Sequence, residues 1–217
     1  MRRALSKLGC VPSRKKSSSH KKHGESIDES KTVEYYRSKR EHCCKSPLEC
    51  DFNKSRIKIL NGCTEIRDLE STVMYWMNRD QRVQDNWALI FAQRLAAKYE
   101  IPLRVCFCLD KSYMNYSFRH YDFLIKGLEL VHIELSHLNI PFHVVLGDPV
   151  TNVLDLVSQN NVSALITDFC PIDPPKRWIN QLRRSLPNDV SLCLVDAHNI
   201  IPAWITSDKR EYAARTI

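Results

Sequence analysis

The chain has 217 residues, 43% of them hydrophobic and 26% charged, with a formal net charge of +7. That length suits one well-packed domain with a tail and is short for two full-sized domains. The charge is uneven: residues 1–55 hold 14 Lys or Arg against 7 Asp or Glu, while residues 56–217 hold 18 against 18. A neutral body argues against that region gripping DNA by itself, because backbone binding relies on clustered cations.

The nine cysteines are odd in number and form no small-domain disulfide framework. Cys106 and Cys108 fall two apart in one predicted strand, on one face, in a geometry unsuited to a bridge. No apolar run approaches the roughly 18 residues that span a bilayer, and the start lacks the apolar centre of a secretory signal. A reducing, intracellular setting with no membrane partner is expected.

Residues 1–55 are predicted to be a disordered basic tail. Met1 to His23 contain eight Lys or Arg, several serines and no acid, too little apolar surface to fold. The clusters around Arg14 and Lys21 fit a nuclear import patch, the preferred reading, while an Arg- and Ser-rich start also suits a mitochondrial transit peptide. His42, Cys43, Cys44 and Cys50 are of zinc-binding type, but their spacing matches no pair-and-pair pattern, so no metal site is expected.

Residues 56–217 read as an α/β domain. Val73 to Met77 form a short apolar run fitting a central strand buried on both faces. A crowded turn follows, with Arg79, Asp80, Arg82, Asp85 and Asn86 within eight residues. Ala88, Phe91, Ala92, Leu95, Ala96 and Tyr99 then recur at helical spacing. The charged group thus lies at a strand's carboxyl end and a helix's amino end, where ligands and partners dock in open α/β sheets.

Pro102 precedes a second strand, Leu103 to Leu109, and Tyr121, Leu124, Ile125, Leu128, Val131, Leu135 and Leu138 predict a long helix. A third strand, Phe142 to Leu146, leads to Asp148 as a helix cap and Pro149 at the first helical position. Ala164 to Thr167, a helix around Trp178 to Leu186, and Val190 to Val195 complete a Rossmann-like parallel sheet of about five strands with helices on both faces. Asp168 and Asp196 end two of these strands and join the same edge. The five glycines form neither a dinucleotide turn nor a phosphate loop, which disfavours NAD and ATP.

The ordered series YWMNRDQRVQDNWAL, VCFCLD, YDFLIKGLELV, LGDPV, LITDFCP, VDAHNIIPAW and SDKREYAARTI resembles the N-terminal domain of class II cyclobutane pyrimidine dimer photolyases, in the photolyase and cryptochrome family. The likeness covers about Val73 to Ile217. It implies light-driven repair of UV-damaged DNA, with FAD, its electron-relaying tryptophans and the pocket for the flipped lesion in a C-terminal helical domain continuing beyond EYAARTI. On that resemblance this chain lacks the pocket that base extrusion needs and is not catalytic alone. An accessory antenna chromophore of unknown identity would lie in the α/β domain.

The resemblance also implies that Arg79, Asp80, Arg82, Asp85 and Asn86 form an interdomain latch and chromophore rim, the plain alternative being a solvated, capped helix start. Asp168 and Asp196 either hold polar groups of a chromophore or partner or simply cap their turns. Trp76, Trp87, Trp178 and Trp204 are expected as packing aromatics rather than relay members. His198 either orients a carboxylate or satisfies a turn, with the turn favoured; His132 and His137 are surface histidines. Two other functions remain open: a stand-alone chromophore- or partner-binding module, and a small nucleotide-binding domain of universal-stress type suggested by fold alone.

Overall fold

The computed structural model describes residues 46–67, 70–209, 212, 213 and 215. Residues 1–45 of the expected basic tail, its addressing signals, and His42, Cys43 and Cys44 lie outside the described residues.

Six strands form one sheet: β1 (Ile57–Ile59), β2 (Thr72–Trp76), β3 (Leu103–Leu109), β4 (Phe142–Leu146), β5 (Val162–Asp168) and β6 (Ser191–Val195). Their spatial order is β1-β6-β5-β2-β3-β4. The five strands from β2 to β6 are parallel, and β1 pairs antiparallel with β6, placing Ile57 opposite Val195. The sheet is therefore the α/β Rossmann-like one expected, with an additional edge strand. IKI is too short to reveal itself by periodicity, and its partner lies far along the chain.

The connecting helices are α1 (Trp87–Tyr99), α2 (Phe118–His137), α3 (Pro149–Gln159) and α4 (Pro175–Ser185), with a single turn, α5 (Ala203–Thr206), near the end. Strand alternation divides the core in two. Val73, Tyr75 and Met77 of the β2 segment pack with α1 and α2, while Met74 and Trp76 pack with α3 and α4. Every residue of β2 and β5 is buried, which is why their middles, Val73 to Trp76 and Ala164 to Ile166, are apolar without alternation.

Local chemistry sets the helix ends. The Asn86 side chain accepts from the amides of Ala88 and Leu89, each at 3.0 Å, and α1 closes on Glu100 in left-handed backbone with φ 53°. Asp148 caps α3 by accepting from the Thr151 amide at 2.8 Å, with Pro149 opening the helix.

The packed unit begins before residue 56. Cys50 and Phe52 are buried, and the Phe52 ring lies 5.2 Å from Phe91 and 6.1 Å from Trp87. The boundary expected from charge moves toward the N-terminus because charge balance does not register two isolated core anchors. Trp87 also departs from expectation: it is 40% exposed, with the Arg56 guanidinium 4.7 Å above its ring. Arg56 itself is buried and donates to the carbonyls of Asp196, Asn199 and Ile200, tying the β1 segment to the loop after β6.

Candidate functional site

The chain leaves β4 at one edge and re-enters the sheet at β5 beside β2, so strand order reverses between β2 and β5. Loops diverge there and leave a crevice at the strands' carboxyl ends. The RDQR turn stands on one side of this switch point and Asp168 on the other.

Asp168 is fully buried and its oxygens are occupied. Oδ2 accepts from the amides of Asn78 at 2.9 Å, Arg79 at 2.8 Å and Asp80 at 3.3 Å, while Oδ1 accepts from the Tyr75 hydroxyl at 2.7 Å. Burial pushes this carboxyl up to about 6, against the opposing pull of the Tyr75 hydroxyl and the backbone amides. Burial likewise drives the Tyr75 phenol well above its ordinary range, with Asp168 adding to the effect. Asp168 therefore shapes the turn from within. Of the two roles left open for Asp168, its contacts are those of the turn-holding one.

The network continues through Asn86, whose amide group donates to the Tyr75 hydroxyl at 2.9 Å and to the carbonyls of Asp80 and Arg82. The Asp80 side chain meets the His198 ring, Oδ1 to Nδ1 at 3.1 Å, so His198 faces a carboxylate instead of merely completing its own turn. Asp80, Asn86 and Asp168 thus come together. Asp196 stands apart as a second loop organiser, accepting from the backbone amides of Asn199 and Ala203. Arg82 and Asp85 are exposed; the Arg82 guanidinium donates to the Asp85 carbonyl, and Asp85 adopts left-handed backbone with φ 52°. Arg79 anchors through its amide and donates a side-chain bond to the Phe169 carbonyl at 3.3 Å.

Beside Arg79 opens a cleft of about 500 Å³ at the ends of β2, β3 and β5, between the amino ends of α2 and α4. Its walls include Trp76, Phe107, Tyr113, Tyr116 and Trp178, and Arg79, Arg119 and His120 also line it. Tyr113 and Trp178 stack obliquely at 5.7 Å, and Trp76 lies 6.5 Å beyond. The Asn78 amide nitrogen, on a residue of the same lining, is shut from solvent without an acceptor. The Cys108 thiol in the floor is pushed up to about 12 by burial and is inert as a nucleophile at neutral pH. The arrangement suits a planar aromatic molecule carrying an acceptor or an acidic group. Among the described residues no group of three metal-ligating side chains exists, and no helix is long and apolar enough to cross a membrane.

The charged turn was legible in the sequence, but Tyr113, Tyr116, Trp178, Asn78 and Arg119 were missed as cleft residues. The tryptophan alone carried a signal, an aromatic at the start of a predicted helix, and packing explained it equally well.

The molecule is thus a doubly wound α/β domain with a braced turn and an open aromatic cleft at its switch point. It belongs to the DNA photolyase family, whose sequence signature matches residues 73–217. The chain is 44% identical over 184 residues to a deoxyribodipyrimidine photo-lyase of Potorous tridactylus, covering 85% of this chain and 35% of that protein. Photo-lyases of the same name from Arabidopsis thaliana (38% identity, 67% of this chain, 29% of that protein) and Methanothermobacter thermautotrophicus (36%, 76% and 36%) are also similar. The chain spans about a third of the length of the curated relatives it matches. A solved universal stress protein in complex with cAMP is similar at 14% identity and a TM-score of 0.40 over 60% of this chain and 100% of that one, a likeness too distant to carry an argument.

Proposed function

We propose that the chain is the N-terminal α/β portion of a class II deoxyribodipyrimidine photolyase, serving the light-driven splitting of cyclobutane pyrimidine dimers. The observation carrying this reading is the 44% identity over 184 residues to a protein of that name. In this reading FAD and UV-damaged DNA are held by a helical C-terminal domain, and residues 56–217 with their N-terminal anchors serve as the antenna domain. The stand-alone module is the alternative and the less favoured one.

The cleft beside Arg79 is the proposed seat of the accessory chromophore, which would supply light absorption and excitation transfer. Trp178, Tyr113 and Phe107 form an aromatic wall against which a planar ring system packs and which excludes water, and Arg79 and Arg119 meet acidic substituents. Arg82 and Asp85, exposed on the turn, together with Ile200, Ile201 and Ile205 beyond β6, form the proposed docking surface for the helical domain. The basic tail is proposed as a nuclear address.

A light-dependent repair assay on a dimer-containing oligonucleotide tests the first claim. The chain alone is expected to leave the dimer intact with FAD supplied, whereas the chain joined to a relative's helical portion restores repair. Repair by the chain alone overturns the non-catalytic reading. Failure of the joined protein to repair, while both parts remain folded, overturns the photolyase reading.

A further inference from the structure

The even charge balance of residues 56–217 hides a local excess. Of their 18 Lys or Arg, α4 carries four, Lys176, Arg177, Arg183 and Arg184, and it has no acid, so the rest hold 14 against 18. On α2, Lys126 meets Asp122 one turn away at 2.7 Å, the ordinary arrangement on an exposed helix. On α4, Lys176, Arg183 and Arg184 have no ion-pair partner among the described residues, and Arg177 meets Asp173 at 3.9 Å with both side chains mostly exposed. Asp189, just beyond the helix, is taken by Arg67 at 2.9 Å. The macrodipole accounts for Arg183 and Arg184 in the last turn, but Lys176 and Arg177 stand at the amino end, where cations are disfavoured. Folding therefore does not explain the whole set, because Pro175, Ile179 and Leu182 anchor α4 from its other side.

We propose that the outward side of α4 is a sequence-independent contact for the phosphate backbone of duplex DNA. At the helical repeat the four cations fall within an arc of about 120°, and all are exposed, with exposed Asn180 and Gln181 among and beside them. Lys176 and Arg183, like Arg177 and Arg184, are seven residues apart, about 10.5 Å along the axis. That span is close to the roughly 12 Å width of the major groove, so α4 lying across the groove touches phosphates of both strands. Asn180 and Gln181 then donate between the two cation pairs without adding charge. Phosphates relieve the mutual repulsion of four like charges and release counterions in exchange. A bilayer is the poorer occupant, because Ile179 and Leu182 are buried, Trp178 is half-buried and no apolar side chain of α4 is exposed to enter lipid. The choice of DNA rests on the photolyase reading, whereas the charge pattern does not. In a body of zero net charge this contact adds to a grip made elsewhere.

Fluorescence anisotropy of a short undamaged duplex, titrated in the dark with the full chain from about 20 to 200 mM salt, tests the contact. The triple variant Lys176→Gln, Arg183→Gln, Arg184→Gln should lower the slope of log affinity against log salt by about 2–3. It should also weaken binding by about tenfold or more at about 50 mM salt. A control, Lys54→Gln, Lys111→Gln, Lys126→Gln, loses the same charge from exposed positions on other segments and should change the slope by less than about 1. Residues 1–45 are present in every variant, so the basic tail contributes equally throughout. Thermal unfolding of both variants should stay near that of the parent, since the substituted side chains are exposed. Phosphatidylserine vesicles at matched phosphate concentration should bind more weakly than the duplex. An unchanged slope in the α4 variant, an equal loss in the control, or tighter binding to vesicles than to duplex overturns the proposal. None of those results bears on light-dependent repair by the joined protein, which tests the photolyase reading separately.

Discussion

The two sides of the RDQR turn sit side by side and are built on opposite principles. Toward the sheet, Asp168, Tyr75, Asn86 and the amides of residues 78–80 satisfy one another in a closed polar net. Toward the loops of α2 and α4, the cleft presents aromatic walls and the Arg119 and His120 side chains. The closed side consumes its polar groups to fix a shape, and the open side keeps them available. Charged residue types alone therefore do not mark the open side: the fully buried Asp168 at this edge is structural, whereas the cleft is walled by aromatic rings. Rigidity on one side is what allows precision on the other, since a braced Arg79 backbone presents its side chain to the cleft without prior ordering.

The sharpest way to break the closed side is Asp168→Ala, which leaves three amides and a phenol without their acceptor. A loss of about 3–5 kcal/mol in unfolding free energy is expected, measured by urea titration. A loss below about 1 kcal/mol would mean that water replaces the carboxylate and that the net is not closed. On the open side, Trp178→Ala removes a wall of the cleft. It should weaken binding of a flavin-like fluorescent probe by about tenfold to a hundredfold, or about 1.4–2.8 kcal/mol, while Asp80 and His198 keep their contact. Equal probe affinity in the variant would remove the cleft from consideration as a chromophore seat.

The pH dependence separates the two sides further. Burial pushes the folded carboxyl of Asp168 up to about 6, above its ordinary value of 3.8, so its ionised form is disfavoured by folding. Its contribution is most favourable below the unfolded value and declines as pH rises from about 4 through about 6, then stays constant. Relative to Asp168→Asn, the parent should gain on the order of 2 kcal/mol on acidification from pH 7 to about 4, read as the difference between two stability–pH curves. A flat difference curve would show that the amides hold the carboxylate ionised despite its burial. Tyr75→Phe should cost a smaller 1–2 kcal/mol, roughly one buried hydrogen-bond link between Asp168 and Asn86. His198→Ala, at a half-exposed partner of Asp80, should cost about 0–1 kcal/mol, the smallest effect of the series.

Much of the fold was legible because β2 and β5 are buried on both faces and helical spacing alternates with them. The Asp148–Pro149 cap was read directly, and the β3 and β4 limits agree residue for residue with Leu103–Leu109 and Phe142–Leu146. β1 was not legible, being three residues whose only partner is β6. In the site, Arg79 to Asn86 stood out through crowding, yet sequence spacing says nothing about which charges turn inward. That Asp168 serves the 78–80 amides is a contact across roughly 90 residues, set by strand order rather than by local pattern. Tyr113 and Tyr116 belong to an irregular loop whose Met114 and Asn115 have positive φ, a conformation without a periodic signature.

The clasp formed by β1 and Arg56 has a consequence for how the chain is made. Arg56 finds its carbonyl partners 140 to 144 residues later, and Ile57 waits for Val195. During synthesis the N-terminal strand must therefore stand idle while β2 to β5 assemble, because its sheet neighbour is the last strand to emerge. Its edge is short and carries Lys58, whose ammonium lies 4.6 Å over the Trp204 ring once the clasp shuts. A three-residue strand with a central lysine is a poor template for stray pairing, so the delay exposes the nascent chain to little risk of wrong association. The loop after β6 then acts as a buckle that shuts on Arg56 once β6 has joined the sheet.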